Sequence, residues 1–338
     1  MTRPSADYVY ICGSGHSGST LLEMFLAGHP EMAAVGELHN LSFQIAHGRV
    51  CSCGALPREC SHWQAVAAVI RQYRWIDIFT RPHEFLISRE RPRNAVERGR
   101  REWNRALSYV TCLHPILKST GLQHLMVQRG EMEANRVLLT DAIRTLTGAA
   151  VLVDSSKDYV RMREIYDRAE RGRVKVVYLF RDGRGCLWSS LKRGGVSART
   201  AATQWAKNQR RTRAMLRGVR VGDRLDVRYE DLCGQPEHVL RGVCSLVGVA
   251  YHPAMLDLAP TEHHTIAGNR IRVDRRLAVR VDDAWRERLT AAQLAEFERV
   301  AGRENRKLGY PRSIVSAAPA EPPGDGRSLV LEAPQRTS

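Results

Sequence analysis

The chain has 338 residues and a formal net charge of +16, with 52 Lys and Arg residues against 36 Asp and Glu residues. It contains no run of about 18 apolar residues, which excludes a membrane-spanning helix, and its start lacks the pattern of a secretory signal. We therefore expect a cytoplasmic protein whose eight cysteines are mostly reduced thiols. The positive charge favours anionic partners without choosing among nucleotide phosphates, nucleic acid, an acidic substrate and a membrane surface.

Short apolar runs that end in glycine-rich or charged turns recur along the chain. Tyr8 to Cys12 leads into Gly-Ser-Gly, and Ser19 to Leu26 has helical spacing, so the opening predicts a strand, a turn and a helix. Ala149 to Val153 and Val174 to Phe180 repeat the pattern, and Asp226 to Tyr229 suits a further short strand. Strands that alternate with helices favour an α/β fold with a parallel sheet flanked by helices.

The stretches between these strands indicate the domain organisation. Residues from about 40 to 150 are largely helical in pattern, which predicts a helical insertion or cap after the first βα unit. A helix is also predicted over Glu237 to Val247, and the tail is rich in Pro, Gly, Ala and Ser. We expect one domain over residues 1–316 and a disordered tail over residues 317–338.

The turn after the first strand, residues 13–20, reads Gly-Ser-Gly-His-Ser-Gly-Ser-Thr and fits the glycine spacing of a P-loop, with Ser19 in place of the usual lysine. Glycines let backbone N–H groups converge on a phosphate, hydroxyl groups add further bonds, and the following helix presents its positive end. The candidate phosphate-binding residues are Ser14, Gly15, His16, Ser17, Gly18, Ser19 and Thr20. Without the lysine, the loop is poorly suited to polarising a γ-phosphate.

Residues 17–22, Ser-Gly-Ser-Thr-Leu-Leu, resemble the Ser-Gly-Thr-Thr-Leu element of sulfotransferases that use 3′-phosphoadenosine 5′-phosphosulfate (PAPS). In that family the loop binds the 5′-phosphosulfate, and Lys or Arg usually stands where this chain has His16. The resemblance implies a P-loop-type fold and transfer of a sulfuryl group from PAPS to a hydroxyl-bearing acceptor by in-line displacement. It implies no required metal.

Three later segments, in the family's order, extend the resemblance. Arg181 leaves a strand and Ser189 follows on a helix, a pair that can hold one phosphate from two sides and that resembles the family's 3′-phosphate site. Arg193 matches a further basic contact of the tyrosylprotein sulfotransferases. Tyr229 opens a Tyr-Glu-Asp-Leu segment like the one that lies near the adenine. A late basic loop that closes over the 3′-phosphate is matched by Gly268, Asn269 and Arg270.

Proton transfer needs a base, because a hydroxyl acceptor is a weak nucleophile. Glu37 follows Val-Gly in a stretch that resembles the base of tyrosylprotein sulfotransferases, and His39 is the rival base. Lys157 lies beyond the second predicted strand and matches a family lysine that stabilises charge on the leaving nucleotide. We expect Glu37 and Lys157 to be catalytic.

Three cysteines and a histidine lie close together in the chain, at Cys51, Cys53, Cys60 and His62. Zinc accepts such ligands, but the spacing is not the familiar C-x₂-C and no second half of a site is apparent. We therefore predict no metal site and favour a packed, reduced loop or one disulfide.

Two other functions fit part of the sequence. A P-loop kinase or NTPase would explain residues 13–20 and the apolar run that ends at Asp154, but the loop lacks its lysine. A nucleic-acid-binding protein would explain the charge but has no use for Glu37 or for two phosphate sites. Nothing in the sequence identifies the acceptor, which we expect to bind residues 40–150, or the oligomeric state.

Overall fold

The computed structural model describes residues 4–88, 123–258, 263–273 and 279–312, without the side chains of residues 123–129 and of Arg270. The predicted tail and part of the predicted insertion, residues 89–122, lie outside the described residues.

A five-stranded sheet in the order β2-β3-β1-β4-β5 forms the centre of the protein, and all neighbouring strands are parallel. The strands are β1 (Tyr8–Gly13), β2 (Met32–Gly36), β3 (Val151–Lys157), β4 (Val174–Phe180) and β5 (Arg224–Arg228). The predicted α/β fold with a parallel sheet flanked by helices is confirmed.

Helices connect the strands and pack on the sheet. They are α1 (Ser19–Ala27), α2 (Leu41–Ala46), α3 (Ser61–Arg74), α4 (Gln123–Thr147), α5 (Tyr159–Arg168), α6 (Gly183–Lys192), α7 (Ala198–Leu216), α8 (Tyr229–Gly234), α9 (Pro236–Val247), α10 (Trp285–Arg288) and α11 (Ala291–Lys307). Short 3₁₀ helices cover Leu38–Asn40, Pro82–Glu84, Val221–Asp223, Pro253–Leu256 and Arg270–Arg272. In the described part of the chain, no helix is both long enough and apolar enough to cross a bilayer.

The sheet is buried on both faces, as parallel sheets require. On one face Val9 and Ile11 of β1 pack with residues of α1 and α9, including Phe25. On the other face Tyr10 packs with residues of α3 and α5, including Trp63. The loops at the carboxyl ends of the strands are therefore held on a rigid base.

The second strand, β2, is the main feature that the periodicity did not reveal. It has only five residues, Met-Ala-Ala-Val-Gly, and two alanines give it little intrinsic preference for a strand. Its partner β3 supplies the backbone pairing that makes it one. This strand lies between the first βα unit and the predicted helical segment, and Glu37 follows β2 directly.

Candidate active site

The loop between β1 and α1 is shaped by two glycines that leave no room for a side chain. A Cβ atom on Gly13 would lie 2.2 Å from the carbonyl oxygen of Leu179. A Cβ atom on Gly18 would lie 2.5 Å from a ring carbon of Tyr229, and the backbone of Gly18 has a φ of 93°. Both glycines are thus required for the loop to turn between β4 and Tyr229.

The hydroxyl groups of this loop differ in what they contact. Ser14 Oγ accepts a hydrogen bond from Gln209 at 3.3 Å and is engaged with the core, and Thr20 Oγ1 accepts one from the backbone N–H of Asn269 at 3.2 Å. Ser17 is 1% exposed, and its Oγ has no hydrogen-bond partner in the described part of the protein. Because buried hydroxyls are normally paired, Ser17 fits a loop that binds an anion.

His16 carries no positive charge at neutral pH. Burial, together with the nearby cations Arg193, Arg181 and Lys157, lowers its pKa to about 4. The imidazole is therefore neutral at the position where the resemblance expects Lys or Arg. The positive charge at the loop comes instead from these three cations.

Arg181 is buried and fixed beside the loop. Its guanidinium lies 4.4 Å from the centre of the Tyr229 ring, and a Cβ atom on Gly185 would come within 2.9 Å of the guanidinium. Its nitrogens donate to the carbonyl of His16 at 3.3 Å and to the carbonyl of Asp282, whose carboxylate lies 3.2 Å away. The planar cation is thus held between a ring and a glycine of α6.

The other predicted nucleotide contacts lie on two elements. Ser189 is half-buried on α6, and Arg193 is exposed at the end of that helix. In the late loop, Gly268 packs on Thr20, since a Cβ atom there would lie 3.3 Å from the threonine hydroxyl oxygen. This loop therefore contacts the start of α1, and the segment that reaches Arg181 is the one around Asp282.

Glu37 and Lys157 form a direct ion pair where β2 and β3 end. Lys157 Nζ lies 2.5 Å from Glu37 Oε1 and also donates to Ser19 Oγ at 3.1 Å. Asn40 Nδ2 donates to the second carboxylate oxygen of Glu37 at 3.1 Å. Lys157 has a φ of 63°, a left-handed conformation that is strained for a side-chain-bearing residue and concentrates at functional sites.

Both candidate bases are in their proton-accepting form at neutral pH. Burial alone would raise the pKa of Glu37, but the ammonium group of Lys157 and its hydrogen bond outweigh burial and lower that pKa below its usual value. Burial lowers the pKa of His39 to about 4, although Glu37 acts against this shift. The ring Nδ1 of His39 is buried without a described hydrogen-bond partner.

A second carboxylate, Glu23 of α1, lies behind the ion pair. It accepts hydrogen bonds from the backbone N–H of Gly36 at 2.6 Å and from Ser155 Oγ at 2.8 Å, so it ties together the segments that carry Glu37 and Lys157. Burial raises the pKa of Glu23 to about 7, against the effect of these two bonds. Nothing in the sequence pattern marked this residue, because its position on α1 is one that apolar spacing would fill.

The segments that carry Glu37, Lys157, Arg181 and Tyr229 all lie within the part of the chain that matches a known protein family. The family model described as "Sulfotransferase family" matches residues 8–253. The chain belongs to this sulfotransferase family. No curated protein gives a significant match.

Solved structures of sulfotransferases resemble this one at low identity. The sulfotransferase domain from the curacin biosynthetic pathway is 18% identical, with 91% of this chain and 99% of that chain covered and a TM-score of 0.49. The sulfotransferase domain of the Synechococcus PCC 7002 olefin synthase is 19% identical, with 92% and 97% covered and a TM-score of 0.49. A sulfotransferase from Mycobacterium avium is 11% identical, with 91% and 78% covered and a TM-score of 0.45.

Two residues that complete the surroundings of Arg181, Gly185 and Asp282, are not among those predicted from the sequence. Gly185 could have been noticed in the Arg-Asp-Gly-Arg-Gly run, because a glycine inside a predicted helix often allows another group to pack closely against the helix. Asp282 lies 101 residues from Arg181, and no local sequence pattern indicated that the two would meet.

Proposed function

We propose that this sulfotransferase transfers a sulfuryl group from PAPS to a hydroxyl group of its acceptor, with Glu37 as general base. The observation that carries the proposal is the position of Lys157, whose ammonium contacts both the carboxylate of Glu37 and the first residue of the phosphate-loop helix, Ser19. One cation thereby connects the base with the group that binds an anion. This arrangement suits a reaction in which a proton leaves on one side and negative charge develops on the other.

The donor would be bound at its two phosphate-bearing ends. The phosphate loop supplies the unpaired hydroxyl of Ser17, its backbone N–H groups and the positive end of α1 for the 5′-phosphosulfate. Arg181 supplies a fixed guanidinium for the 3′-phosphate, with Ser189 and Arg193 on the adjoining helix and Tyr229 toward the adenine. Three residues of the late loop, Gly268, Asn269 and Arg270, are also proposed to take part in binding the donor.

PAPS supplies an activated sulfuryl group, and the chain's own residues move the proton and stabilise the charge. Glu37 accepts the acceptor's hydroxyl proton as the hydroxyl oxygen forms its bond to sulfur. The bond between sulfur and the bridging oxygen breaks, and its electron pair stays on the phosphate of adenosine 3′,5′-bisphosphate. Lys157 stabilises that charge, a contribution of about 3 kcal/mol for one well-placed cation or donor. No step needs a metal ion.

Glu37 is favoured over His39 by what each residue contacts. The carboxylate of Glu37 touches Lys157, whereas the hydrogen bonds of His39 are made by its backbone, with Ser156 Oγ at 3.2 Å and Ser88 Oγ at 2.5 Å. A base beside the leaving-group cation is placed at the reacting centre.

The structure gives the acidic residue that a kinase or NTPase would need, Asp154, other contacts. Asp154, the counterpart of a Walker B aspartate, is 0% exposed and accepts hydrogen bonds from Tyr8 Oη at 2.7 Å and from the backbone of Ser156 at 2.8 Å. Arg161 also lies 3.6 Å from its carboxylate. A fully buried carboxylate with a hydrogen bond to each oxygen and an arginine beside it is poorly placed to bind a magnesium ion. The ion pair between Glu37 and Lys157 does not support a nucleic-acid-binding role, which has no use for such a pair.

We further propose one catalytic domain over residues 1–316, with the acceptor bound by residues 40–150. The experiment is incubation with sulfur-labelled PAPS and a panel of sugars, phenols, lipids and peptides, in buffer without divalent cations. Label on a hydroxyl-bearing acceptor, with an equal amount of adenosine 3′,5′-bisphosphate, supports the proposal. Transfer of phosphate from ATP, with none of sulfate from PAPS, would refute it.

A further inference from the structure

The cysteine-rich loop meets a histidine from the distant late segment. The four residues, here called the Cys–His cluster, are Cys51, Cys53, Cys60 and His264. Their three sulfur atoms and one imidazole nitrogen all lie within 4.8 Å of one another. His62, the histidine that the spacing suggested, is not among them but stacks on His264 with ring centres 4.9 Å apart and planes 5° from parallel.

The distances within the cluster suit a shared metal ion. Cys60 Sγ lies 3.2 Å from His264 Nδ1, and Cys51 Sγ lies 3.8 Å from the same nitrogen. The two sulfur atoms are 3.9 Å apart, almost twice the length of a disulfide bond, about 2.05 Å. Tetrahedral zinc with bonds of about 2.3 Å to sulfur and about 2.0 Å to nitrogen spaces its ligand atoms by about 3.5 to 3.8 Å.

We propose that the Cys–His cluster binds one Zn²⁺ ion as a structural site. Three thiolates and one imidazole are the ligand set that zinc prefers, and soft sulfur ligands disfavour Mg²⁺ and Ca²⁺. Four protein ligands leave no open position for water or substrate, so the site holds structure and performs no chemistry. On binding, the three thiols release their protons, and the imidazole stays neutral.

Hydrogen bonds from neighbouring residues fix the backbone that carries these ligands. The backbone N–H of Cys51 donates to the carbonyl of Ala55 at 2.8 Å, which closes the turn around the first two cysteines. The indole of Trp63, 0% exposed, donates to the carbonyl of His264 at 3.0 Å. Contacts of this kind, one step beyond the ligands, fix their orientation and raise metal affinity.

The site would fasten the late loop to the rest of the active site. Ser52 exchanges backbone and side-chain hydrogen bonds with Thr265, and Ile266 pairs with both Cys51 and Gly36, the residue before Glu37. Two residues further on, the chain reaches the phosphate-loop helix at Thr20. Zinc would therefore order a segment that borders both the base and the phosphate loop. The assignment does not depend on PAPS being the donor.

This proposal departs from the sequence-based prediction of no metal site. The spacing of the three cysteines lacked a fourth ligand, and that ligand stands 204 residues beyond Cys60. The seven cysteines within the described residues are all free thiols in the structure, so no disulfide competes for these sulfur atoms there.

The test measures metal bound to the full chain, purified without chelators, by mass spectrometry of the elements. We expect about one zinc ion per chain. Cys53→Ser, which alters the exposed ligand, and His264→Asn should each lose at least nine-tenths of that zinc, about a tenfold effect or more. The matched control is Cys244→Ser, a buried cysteine on α9 against Met255, and it should keep its zinc.

Two further measurements protect the test against misfolding of a variant. Wild-type protein reloaded with Co²⁺ should develop the charge-transfer absorption of thiolate-bound cobalt, and removal of zinc should speed hydrogen exchange of residues 263–273 while that of β1 stays unchanged. The proposal would be overturned if wild-type protein, stripped of metal and then given Co²⁺, showed no charge-transfer absorption. A disulfide joining two of the three cysteines, or full zinc content in both ligand variants, would also overturn it.

Discussion

On one side of β1, the ends of β2 and β3 bring a carboxylate and an ammonium group into contact; on the other, β4 and β5 lead to a guanidinium stacked on an aromatic ring. The side chains of Glu37 and Lys157 are each 17% exposed, and each stabilises the charged form of the other. The Arg181 side chain is 7% exposed and is held in place by Tyr229 and Gly185. A parallel sheet delivers both groups to the same edge, with the phosphate loop between them. The first pair is suited to moving a proton, and the second to recognising a phosphate.

The comparison predicts that the two sides fail in different ways. Substitutions on the β2–β3 side should lower turnover and leave nucleotide affinity nearly unchanged. Substitutions on the β4–β5 side should lower nucleotide affinity and leave turnover nearly unchanged. The substitutions below test that separation, from the largest expected effect to the smallest.

Glu37→Gln should lower turnover by about 10² to 10⁴, because it preserves shape while removing the proton acceptor. Affinity for adenosine 3′,5′-bisphosphate should change by no more than a few-fold, as measured by calorimetry. The matched control is Glu237→Gln, which removes an exposed carboxylate paired with Arg241 on α9 and should leave turnover unchanged. If Glu37→Gln keeps near-normal turnover while His39→Ala abolishes it, with nucleotide binding intact in both, then His39 is the base.

Lys157→Ala should lower turnover by about 10², equivalent to about 3 kcal/mol of lost charge stabilisation. It should also move the acid limb of the pH–rate profile to higher pH, because Lys157 lowers the pKa of Glu37 and a base with a higher pKa is protonated sooner as the pH falls. Turnover measured across pH checks both effects. An acid limb that stays in place would show that Lys157 does not act on the base.

Arg181→Ala should weaken binding of adenosine 3′,5′-bisphosphate by about 10- to 100-fold, the range for losing a charged hydrogen-bonding partner. Binding of adenosine 5′-phosphate, which has no 3′-phosphate, should hardly change. Arg199→Ala serves as control, because that side chain is 72% exposed and pairs only loosely with Glu296. Equal losses for the two nucleotides would place the 3′-phosphate elsewhere.

Ser17→Ala should weaken both nucleotides alike, by about two- to tenfold, because the loop binds the end that they share. The melting temperature should stay level or rise, since the substitution removes a buried hydroxyl that has no described partner. A clear loss of stability would mean that the hydroxyl is paired within the folded protein.

Glu23→Gln tests the residue behind the ion pair through pH and stability. The pKa of Glu23 is raised to about 7, so the folded state holds its proton more tightly than the unfolded state does. Its stabilising contribution is complete below about pH 4.5 and is lost as the pH rises through about 7. The melting temperature of the wild type should therefore fall relative to that of Glu23→Gln between about pH 5 and pH 8. Parallel curves would contradict the raised pKa.

The sequence was most informative where neighbouring residues alone determine the structure. Val174–Phe180 is predicted and found with the same bounds, because a run that is apolar except for Lys175, and that lies between charged residues, favours a strand in a covered sheet. The glycines of the phosphate loop were identifiable for the same reason. β2 was not, since its strand character comes from pairing with β3 rather than from its own residues.

The site was predictable in its parts but not in its contacts. Resemblance drew attention to Glu37 and Lys157 separately, while their ion pair joins residues 120 positions apart. Asp282 beside Arg181 and His264 beside Cys60 depend in the same way on how distant loops return to the sheet edge. Local sequence patterns do not show which distant loops meet at the sheet edge.

The most direct test of the account is a titration of adenosine 3′,5′-bisphosphate into the wild-type protein in buffer without divalent cations, followed by the same titration with ATP and Mg²⁺. We expect saturable binding of one bisphosphate per chain without any added metal, displacement by PAPS, and no competition from ATP with Mg²⁺. Binding of ATP that requires Mg²⁺, together with no detectable binding of the bisphosphate, would contradict it.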